Sequence, residues 1–465
     1  MVDNMKQNVG VLLPVSALPG KHGIGDFSRC AYAFVDWLKI SNYHYWQILP
    51  LNPLGPGDSP YVSVCSEAID IRYIDLDYLV KIKLLDSVPT YKPNSQSIDY
   101  NGVQRFKEKY LKKAFSRLKN KPYGYQKFKN ENPWVERYSR FLILQKLNKF
   151  KPWNEWTIFE INNKQNIEFN FHIWCQFIAA KLWKKIFNFA NKNNVQIIAD
   201  CPFYVGFDSV DCYFNKEVFE LDENNYPSLV SGCPPDAFSD TGQLWGTPVY
   251  NFEKMKNNNY DFLINRIYFL ANKCNILRLD HFRAFDTYCV IPASDKNALR
   301  GQWLVGPREH FFDRLFSLYP NIKLIAEDLG ILFESVHELR DAYHLPGMRV
   351  IQFNIFDTEP SNQHFVLYPG THDNQTLFGW LKSLDEQTIN RLKEKLNFPN
   401  DLYSALFDFI WNANSFITIF PLQDLLKLDN RARINTPGTV GKPNWCFKLR
   451  DMSWQKKIKC GYNKI

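Results

Sequence analysis

Short apolar runs alternate along the chain with segments in which apolar residues recur at helical spacing. Trp174, Phe177, Ile178 and Leu182, for example, mark one face of a helix. Apolar runs without polar alternation indicate strands that are buried on both faces of a parallel sheet. The predicted strands are residues 10–15, 45–51, 195–200, 275–280, 322–328, 348–353, 364–368 and 416–420, and the predicted helices include residues 260–272, 310–319 and 335–343.

About eight strand–helix units predict an α/β protein built on a (β/α)8 TIM barrel rather than on an open doubly wound sheet. The length of 465 residues by itself admits roughly two or three domains. No linker marks a boundary, however, and we predict a single barrel over residues 1–465. The first run, Val9 to Val15, loosely resembles a secretory signal, but Pro14 interrupts it. We therefore interpret this run as a buried strand.

Two intervals depart from the simple alternation. Between the second and third predicted strands, the chain is rich in Lys, Asn and aromatic residues with helical patches, which predicts an inserted, mainly helical subdomain over about residues 80–195. Residues 201–255 are punctuated by Pro and Gly. Because a long loop inside a compact domain is usually functional, we predict an inserted loop or lid region over the active site there.

Composition narrows the class of protein. With 45% apolar and 22% charged residues, the chain is globular rather than disordered or fibrous. The net charge of +8 permits a nucleic-acid partner without requiring one, and we interpret it as a solvated lysine-rich surface. The ten cysteines are scattered without a CxxC pair, which favours the reducing cytoplasm. No segment is apolar over the length that a membrane helix needs.

Four carboxylates lie at or shortly after the C-terminal ends of four predicted strands, at the end of the barrel where active sites lie. They are Asp200, Asp280, Glu327 and Asp373. Buried carboxylates that face one another are costly unless the site uses them. The sequence therefore predicts an acid-rich catalytic centre at this rim.

The neighbours of two of these acids predict different protonation states. Arg278 stands two residues before Asp280, so both side chains point to the same side of a strand and the guanidinium favours the carboxylate anion. Glu327 follows an apolar strand, where desolvation raises its pKa towards service as a general acid. One ionised and one protonated carboxyl group are what double-displacement glycoside chemistry requires.

Two other interpretations use the same residues. Arg278 and Asp280 form an ordinary buried ion pair in the first. In the second, Asp200, Asp280, His281, Glu327, His372 and Asp373 form a metal cluster. The chain has nine histidines but no HxH or HExxH pattern, and Arg278 would repel a cation. We expect neither a metal nor a cofactor.

Several motifs, taken in chain order, resemble those of the amylomaltases, also called 4-α-glucanotransferases or disproportionating enzymes, of the α-amylase superfamily. The resemblance extends from the first strand nearly to the C-terminus. The motifs are GVLLPVSALPGKHGIGD at 10–26, YWQILPLNPLGPGDSPY at 45–61, IIADCPFYVGFDSVD at 197–211, PPDAFSDTGQLWG at 234–246, RLDHFRAF at 278–285, AEDLG at 326–330, LPGM at 345–348, GTHDNQT at 370–376, and NTPGT with NW at 435–445.

This resemblance implies transfer of a 1,4-α-glucan segment to the 4-hydroxyl of an acceptor, with retention. Asp280 matches the nucleophile, Glu327 the general acid/base, and Asp373 the acid that holds the sugar hydroxyls. The implied partners are maltooligosaccharides, with no nucleic acid and no membrane. Positions around the donor glucose match Asp200, Arg278, His281 and His372, and other glucan-binding positions match Ser59, Tyr61, Gln243, Trp245 and Asn444. An aromatic ring in the cleft, such as Tyr61, Trp245 or Phe238, is expected to cover the apolar face of a glucose unit.

Several positions depart from the family pattern, but the three carboxylates do not. The departures are Ala237 for Tyr, Ile69-Asp70-Ile71 for Gly-Asn-Pro, Thr247 for Asn, Gln375 for an acid and Lys448 for Arg. We expect the changes at 237 and 69–71 to affect acceptor contacts and chain-length preference rather than the reaction. Two alternative functions stay open, an α-glucan hydrolase with the same carboxylates and a non-catalytic glucan-binding protein.

Overall fold

The predicted apolar runs form a parallel barrel. The computed structural model describes residues 8–91, 97–235, 240–330, 332–357 and 364–456. Strands in these residues, in chain order, are β1 (Val9–Leu12), β2 (Tyr45–Gln47), β3 (Gln196–Cys201), β4 (Leu229–Cys233), β5 (Gln243–Pro248), β6 (Ile276–Leu279), β7 (Thr287–Pro292), β8 (Gln302–Val305), β9 (Leu324–Ala326), β10 (Gly347–Val350), β11 (Phe365–Tyr368) and β12 (Ile417–Pro421).

Eight of these described strands pair in parallel in the order β10-β11-β12-β1-β2-β3-β6-β9. The Ala326 amide donates to the Pro346 carbonyl at 2.9 Å, which brings the two ends of this order together and closes the barrel. All eight strands predicted from apolar runs are present with adjusted bounds. The prediction of a (β/α)8 barrel is confirmed, and β1 is fully buried, as interpreted from its sequence.

Side chains that alternate along the strands fill the barrel on one side and pack against helices on the other. Leu12, Ile198 and Ile325 are fully buried in the interior cluster, whereas Val9 and Val11 belong to the cluster outside it. Gly10 leaves no room for a side chain, since a Cβ there would approach the Tyr45 Cβ to 2.5 Å. The strands therefore surround a packed core, and the reactive groups lie at its rim.

Helices cover the outside of the barrel, and the segments predicted to be helical coincide with α6, α9, α11 and α12. The α-helices of the described residues are α1 (Arg29–Ile40), α2 (Leu76–Lys81), α3 (Tyr100–Ser116), α4 (Tyr125–Glu131), α5 (Trp134–Leu147), α6 (Asn166–Lys192), α7 (Val210–Phe214), α8 (Phe252–Asn257), α9 (Asp261–Ala271), α10 (Arg283–Asp286), α11 (Arg308–Leu318), α12 (Glu334–Ala342), α13 (Ile351–Asn354), α14 (Leu377–Ser383), α15 (Glu386–Lys395), α16 (Leu402–Asn412) and α17 (Leu422–Leu425). No helix in this part of the chain is long and apolar enough to cross a membrane.

The interval between β2 and β3 holds α2 to α6, so its described part is helical. A fully buried ion pair ties it to the barrel, because the Lys107 Nζ on α3 lies 2.6 Å from an Asp26 carboxylate oxygen. The same Nζ donates to the Ile74 carbonyl at 2.8 Å. The division of this interval as a separate subdomain stays a prediction.

A second, four-stranded antiparallel sheet lies outside the barrel, in the order β5-β4-β7-β8. The prediction of a long loop over 201–255 was wrong for β4 and β5, and β7 and β8 were not predicted. Polar residues and glycine interrupt the apolar pattern of β4 and β5. Their strand conformation comes from pairing with each other and, for β4, with β7. Because pairing with neighbouring strands holds them in place, neither strand needs the regular alternation of apolar and polar residues that predicts a strand from sequence.

Candidate active site

Arg278 connects two of the predicted acids at the rim of the barrel. Parallel pairing of β3 and β6 places Asp200 opposite Arg278. The Arg278 Nη1 donates to both Asp200 carboxylate oxygens at 2.8 Å and to the Asp280 Oδ1 at 2.9 Å. The predicted contact between Arg278 and Asp280 is therefore confirmed. Asp200 binds the same guanidinium. The sequence spacing of Arg278 and Asp280 did not predict this second contact.

Glu327 lies directly after β9 and is held against the turn that follows β6. Its backbone N–H donates to the Leu279 carbonyl at 3.0 Å, and its carbonyl accepts from the Phe282 N–H at 3.0 Å. The His281 N–H donates to the Glu327 Oε2 at 2.6 Å. His281 has a left-handed φ of 51°, a conformation that costs energy for a residue with a Cβ and often marks functional sites. This turn brings the Glu327 carboxyl group beside the segment that carries Asp280.

Burial dominates the electrostatics of this pair of acids. It raises the pKa of Glu327, as predicted, and the charge of Asp280 raises that pKa further. Burial also raises the pKa of Asp280; Arg278 opposes this shift, while Asp200 and Asp373 reinforce it. Arg278 therefore favours the Asp280 anion, as predicted, but burial and the neighbouring acids outweigh it, so the net direction of the pKa of Asp280 is upward.

Asp373 comes from the loop after β11 and is the most exposed of the four acids, with 44% of its side chain accessible. Its Oδ1 accepts from the Asn435 Nδ2 at 2.7 Å. Its backbone carbonyl accepts from the Arg433 Nη2 at 2.6 Å. The neighbouring His372 Nε2 lies 3.4 Å from the Asp373 Oδ2, and burial lowers the pKa of this histidine. The loop therefore holds the Asp373 carboxylate at the site, and hydrogen bonds from Arg433 and Asn435 fix it in place.

Tyr61 completes the buried side of the site. Its hydroxyl donates to the Asp200 Oδ2 at 2.6 Å, and its ring stacks on His372 with centroids 5.1 Å apart. Ser59 bonds to the backbone of Tyr61, because its Oγ accepts a hydrogen bond from the Tyr61 N–H at 3.2 Å. Trp445 packs on both rings, 5.8 Å from Tyr61 and 5.9 Å from His372.

The second sheet supplies another side of the site through β5. The Trp245 ring meets His281 edge to face, with centroids 4.9 Å apart, and 39% of Trp245 is exposed. The Trp245 Nε1 donates to the Gln243 Oε1 at 3.3 Å. The His281 Nε2 is buried without a hydrogen-bond partner, and burial lowers the pKa of this ring to about 4. A neutral imidazole with a spare nitrogen suits a ligand hydroxyl.

Asn444 lies in the same region, but its amide is occupied within its own loop. The Oδ1 accepts from the Thr436 N–H at 3.0 Å, and the Nδ2 donates to the Thr439 Oγ1 at 2.8 Å. The predicted direct contact between Asn444 and glucan stays a prediction. The side chains that reach the site from this region are Asn435 and Trp445, whose only sequence signal was their place in the NTPGT and NW motifs.

The positions that depart from the family pattern are mostly engaged inside the protein. Ile69 binds the Gln176 side chain through both its N–H and its carbonyl, at 2.9 and 2.8 Å. The Thr247 Oγ1 lies 2.5 Å from the Ser231 Oγ, and the Gln375 Oε1 accepts from Asn430 at 2.6 Å.

The remaining departures include both described and undescribed positions. Asp70 is buried and pairs with Arg72, and the Lys448 Nζ donates to the Gly23 carbonyl at 3.3 Å. Ala237 and Phe238 lie outside the described residues. In the described part of the chain, no group of three His, Cys, Asp or Glu residues is arranged to hold a metal ion.

Comparison with known proteins gives consistent matches. The sequence model of a family described as 4-alpha-glucanotransferase matches residues 13–453. A 4-alpha-glucanotransferase of Clostridium butyricum is 36% identical, over 94% of this chain and 95% of the relative, and one of Aquifex aeolicus is 34% identical, over 96% of each. The structure of an amylomaltase from Streptococcus agalactiae in complex with acarbose matches with a TM-score of 0.90 at 30% identity, covering 97% of this chain and 98% of that one.

Proposed function

Because this chain belongs to the 4-alpha-glucanotransferase family and is itself a glucanotransferase, we propose that Asp280, Glu327 and Asp373 transfer 1,4-α-glucan segments by a retaining double displacement. The observation that carries this assignment is the bonding at the rim. Arg278 binds Asp280 directly, whereas the Glu327 carboxyl group accepts from an uncharged backbone N–H. Of these two carboxyl groups, Glu327 therefore holds the proton and Asp280 carries the negative charge.

In the first step, Glu327 donates its proton to the glycosidic oxygen of the donor glucan. The bond between that oxygen and the anomeric carbon breaks while an Asp280 oxygen attacks the carbon, which gives a covalent glycosyl ester. The leaving segment departs with the proton. Glu327 is then ionised, and the charge that raised its pKa is gone because Asp280 has become a neutral ester.

In the second step, the 4-hydroxyl of an acceptor glucan loses its proton to Glu327 and its oxygen attacks the anomeric carbon. The ester bond breaks, Asp280 leaves as a carboxylate, and the configuration is retained after two inversions. Both acids are restored. Retaining enzymes hold the two carboxyl groups about 5–5.5 Å apart, without room for a water between them.

The other site residues fit the binding of a glucose unit next to Asp280. Asp373 offers an exposed carboxylate for sugar hydroxyls, and the neutral His281 and His372 offer ring nitrogens. The Tyr61 ring, stacked on His372, presents an apolar surface to the sugar. The Streptococcus agalactiae amylomaltase was solved with acarbose, and we propose that maltooligosaccharides bind this chain at the corresponding rim.

Transfer requires that a sugar outcompetes water for the glycosyl ester. Trp245 and Gln243 stand on β5 beside His281, where an acceptor glucan can pack on the exposed indole. The α-glucan hydrolase alternative differs only at this step. We also propose a cytosolic enzyme, because none of the nine described cysteines is in a disulfide. The site needs neither a nucleic acid nor a membrane.

Two variants test the roles of the acids. Asp280→Asn should lose more than about 10⁴-fold in activity on maltotriose, where the wild type gives glucose and a ladder of longer maltodextrins. Glu327→Gln should also fail on maltotriose but accept α-maltosyl fluoride, since fluoride leaves without a proton. Mass spectrometry should then find a maltosyl ester on the peptide that contains Asp280.

The control is Glu386→Gln, which changes an exposed acid on α15 and should behave as wild type. Near wild-type activity of Asp280→Asn on maltotriose would refute the nucleophile. A product mixture of shorter sugars alone from the wild type would favour the hydrolase.

A further inference from the structure

The barrel has a seam between β9 and β10, which are the two ends of its hydrogen-bonded order. The backbone bond from Ala326 to Pro346 spans the seam at 2.9 Å. Glu327 follows β9 immediately, so its position depends on how the strands are held together here. A side chain reinforces the seam at this point.

Asp328, next to Glu327, bonds across the seam with one oxygen and to a helix with the other. Its Oδ1 accepts from the Met348 N–H on β10 at 2.7 Å. Its Oδ2 accepts from the Arg340 Nη1 on α12. The carboxylate is 97% buried. It therefore replaces a missing rung of the ladder between β9 and β10 with a charged hydrogen bond.

Gly347 makes room for this arrangement. A Cβ at that position would lie 3.0 Å from the Asp328 Oδ1 and 2.5 Å from the Oδ2, and the second distance is closer than real Cβ atoms approach other atoms. Any other residue at 347 would push the carboxylate away from β10. The glycine of the LPGM motif is thus explained by the place it leaves for Asp328.

A contact from β10, at the seam, also leads to Asp280, the other acid proposed for catalysis. The Met348 Sδ lies 3.3 Å from the Arg278 Nε, and Arg278 binds Asp280. Asp328 therefore acts on Glu327 through the backbone, and on Asp280 through Met348 and Arg278. A displacement of about 1 Å between reacting groups can cost on the order of 10²-fold in rate.

We propose that Asp328 is a positioning residue that holds Glu327 and Asp280 in register across the barrel seam. This inference rests on the proposed roles of the two acids. Asp328 also acts electrostatically, because its negative charge raises the pKa of Glu327. Burial raises the pKa of Asp328, and the Met348 N–H and Arg340 oppose this shift by favouring the anion.

The charged and titratable groups around Asp328 come from several elements. Arg340, His337 and Asp341 lie on α12, where the Arg340 Nη1 is 3.2 Å from the His337 Nδ1 and its Nη2 is 2.8 Å from an Asp341 oxygen. Glu327 precedes Asp328 in the chain, and Arg278 and Asp280 act on the pKa of Glu327 from the β6 side. Glu327 must be protonated in the first step, so activity falls at high pH when it ionises. Without the Asp328 charge, this fall should occur at lower pH.

The test compares Asp328→Asn with Asp341→Asn. The asparagine at 328 keeps an oxygen for the Met348 N–H, so the barrel should fold, but it loses the charge. We expect about a 10-fold lower kcat on maltotriose with KM within about 2-fold, and an alkaline limb moved down by on the order of half a pH unit. Asp341→Asn removes an exposed charge from the same arginine and should leave both unchanged.

A second substrate separates this inference from the proposed function. On α-maltosyl fluoride, which needs no proton from Glu327, Asp328→Asn should lose less activity than on maltotriose. An unchanged kcat of Asp328→Asn on maltotriose would overturn the positioning role, and an unmoved alkaline limb would overturn the electrostatic action of Asp328 on Glu327. If Glu327→Gln retained activity on maltotriose, the proposed function itself would fall, independently of Asp328.

Discussion

Two sides of the cleft are built differently. The strand-end wall consists of Asp200, Arg278, Asp280 and Glu327, which are buried or half-buried, stand at the ends of barrel strands and bond to one another or to the backbone. The sheet wall consists of Gln243 and Trp245 on β5, where 39% of Trp245 is exposed and its indole N–H reaches Gln243 at 3.3 Å. The groups that we propose for the chemistry are therefore preorganised by the barrel, whereas the groups that we propose for acceptor contact stand on a separate sheet.

Of the substitutions considered for the two walls, Arg278→Met should have the largest effect, and it acts on the strand-end wall. It leaves Asp200 and Asp280 buried without their cation, which should cost about 3–5 kcal/mol of unfolding free energy. We expect kcat/KM to fall by about 10²–10³-fold. Arg278 lowers the pKa of Asp280, so its removal raises that pKa further. The nucleophile must be ionised, and the acidic limb of the kcat/KM profile should therefore move to higher pH.

Arg431→Met is the matched control for this experiment. Arg431 also pairs with an aspartate, Asp429, but its side chain is 91% exposed. Such surface pairs contribute about 1 kcal/mol or less. Denaturant titration and a pH profile should show little change in this variant. An unmoved acidic limb in Arg278→Met would contradict the role of Arg278.

Tyr61→Phe tests a residue that supports the strand-end wall through its hydrogen bond to Asp200. The change removes the hydroxyl that donates to Asp200 but keeps the ring on His372. Loss of a hydrogen bond to a buried charged group costs about 1.5–3 kcal/mol, and Asp200 still binds Arg278, so we expect about a 10-fold lower kcat/KM on maltotriose. Tyr61→Leu should lose more, because it also removes the stacked ring. Equal losses in the two variants would show that the hydroxyl carries the whole effect.

Trp245→Ala should have the smallest effect and should change the outcome rather than the chemistry. An aromatic contact is worth about 0.5–1.5 kcal/mol, so the transfer-to-hydrolysis ratio should fall by about 2–10-fold while the rate of glycosyl ester formation stays near wild type. Chromatography of the maltotriose products with a glucose assay measures the ratio. Tyr226→Ala, at an aromatic residue that is 48% exposed, is the control. If Trp245→Ala lost 10²-fold in the rate of glycosyl ester formation, Trp245 would contribute to the chemical step and not only to acceptor binding.

The barrel was predictable because its signals are local. Runs such as residues 9–12 and 417–421 are fully buried on both faces, so their apolar character is continuous and visible in the sequence. The strand-end acids were predictable from the same apolar runs, since each lies at or shortly after the end of one. The i and i+2 spacing of Arg278 and Asp280 predicted their contact, which exists at 2.9 Å.

The second sheet was missed because β4 and β5 have little pattern of their own. Gly232 in β4 leaves no room for a side chain, since a Cβ there would lie 2.3 Å from the Gln243 carbonyl oxygen. Its pairing with β5 is therefore set by contact across the sheet. The contribution of Trp445 was hidden in the same way, because only folding brings it next to Tyr61.

The sequence by itself determined the eight barrel strands, the acids at their ends and the family, because hydrophobic periodicity and motifs are properties of neighbouring residues. Only the tertiary structure decided which acids share Arg278, how Glu327 is held by the His281 N–H, and how Asp328 closes the seam. It also decided the direction of the pKa of Asp280. Protonation and hydrogen bonding depend on burial and on charges from distant segments, which the order of residues does not specify.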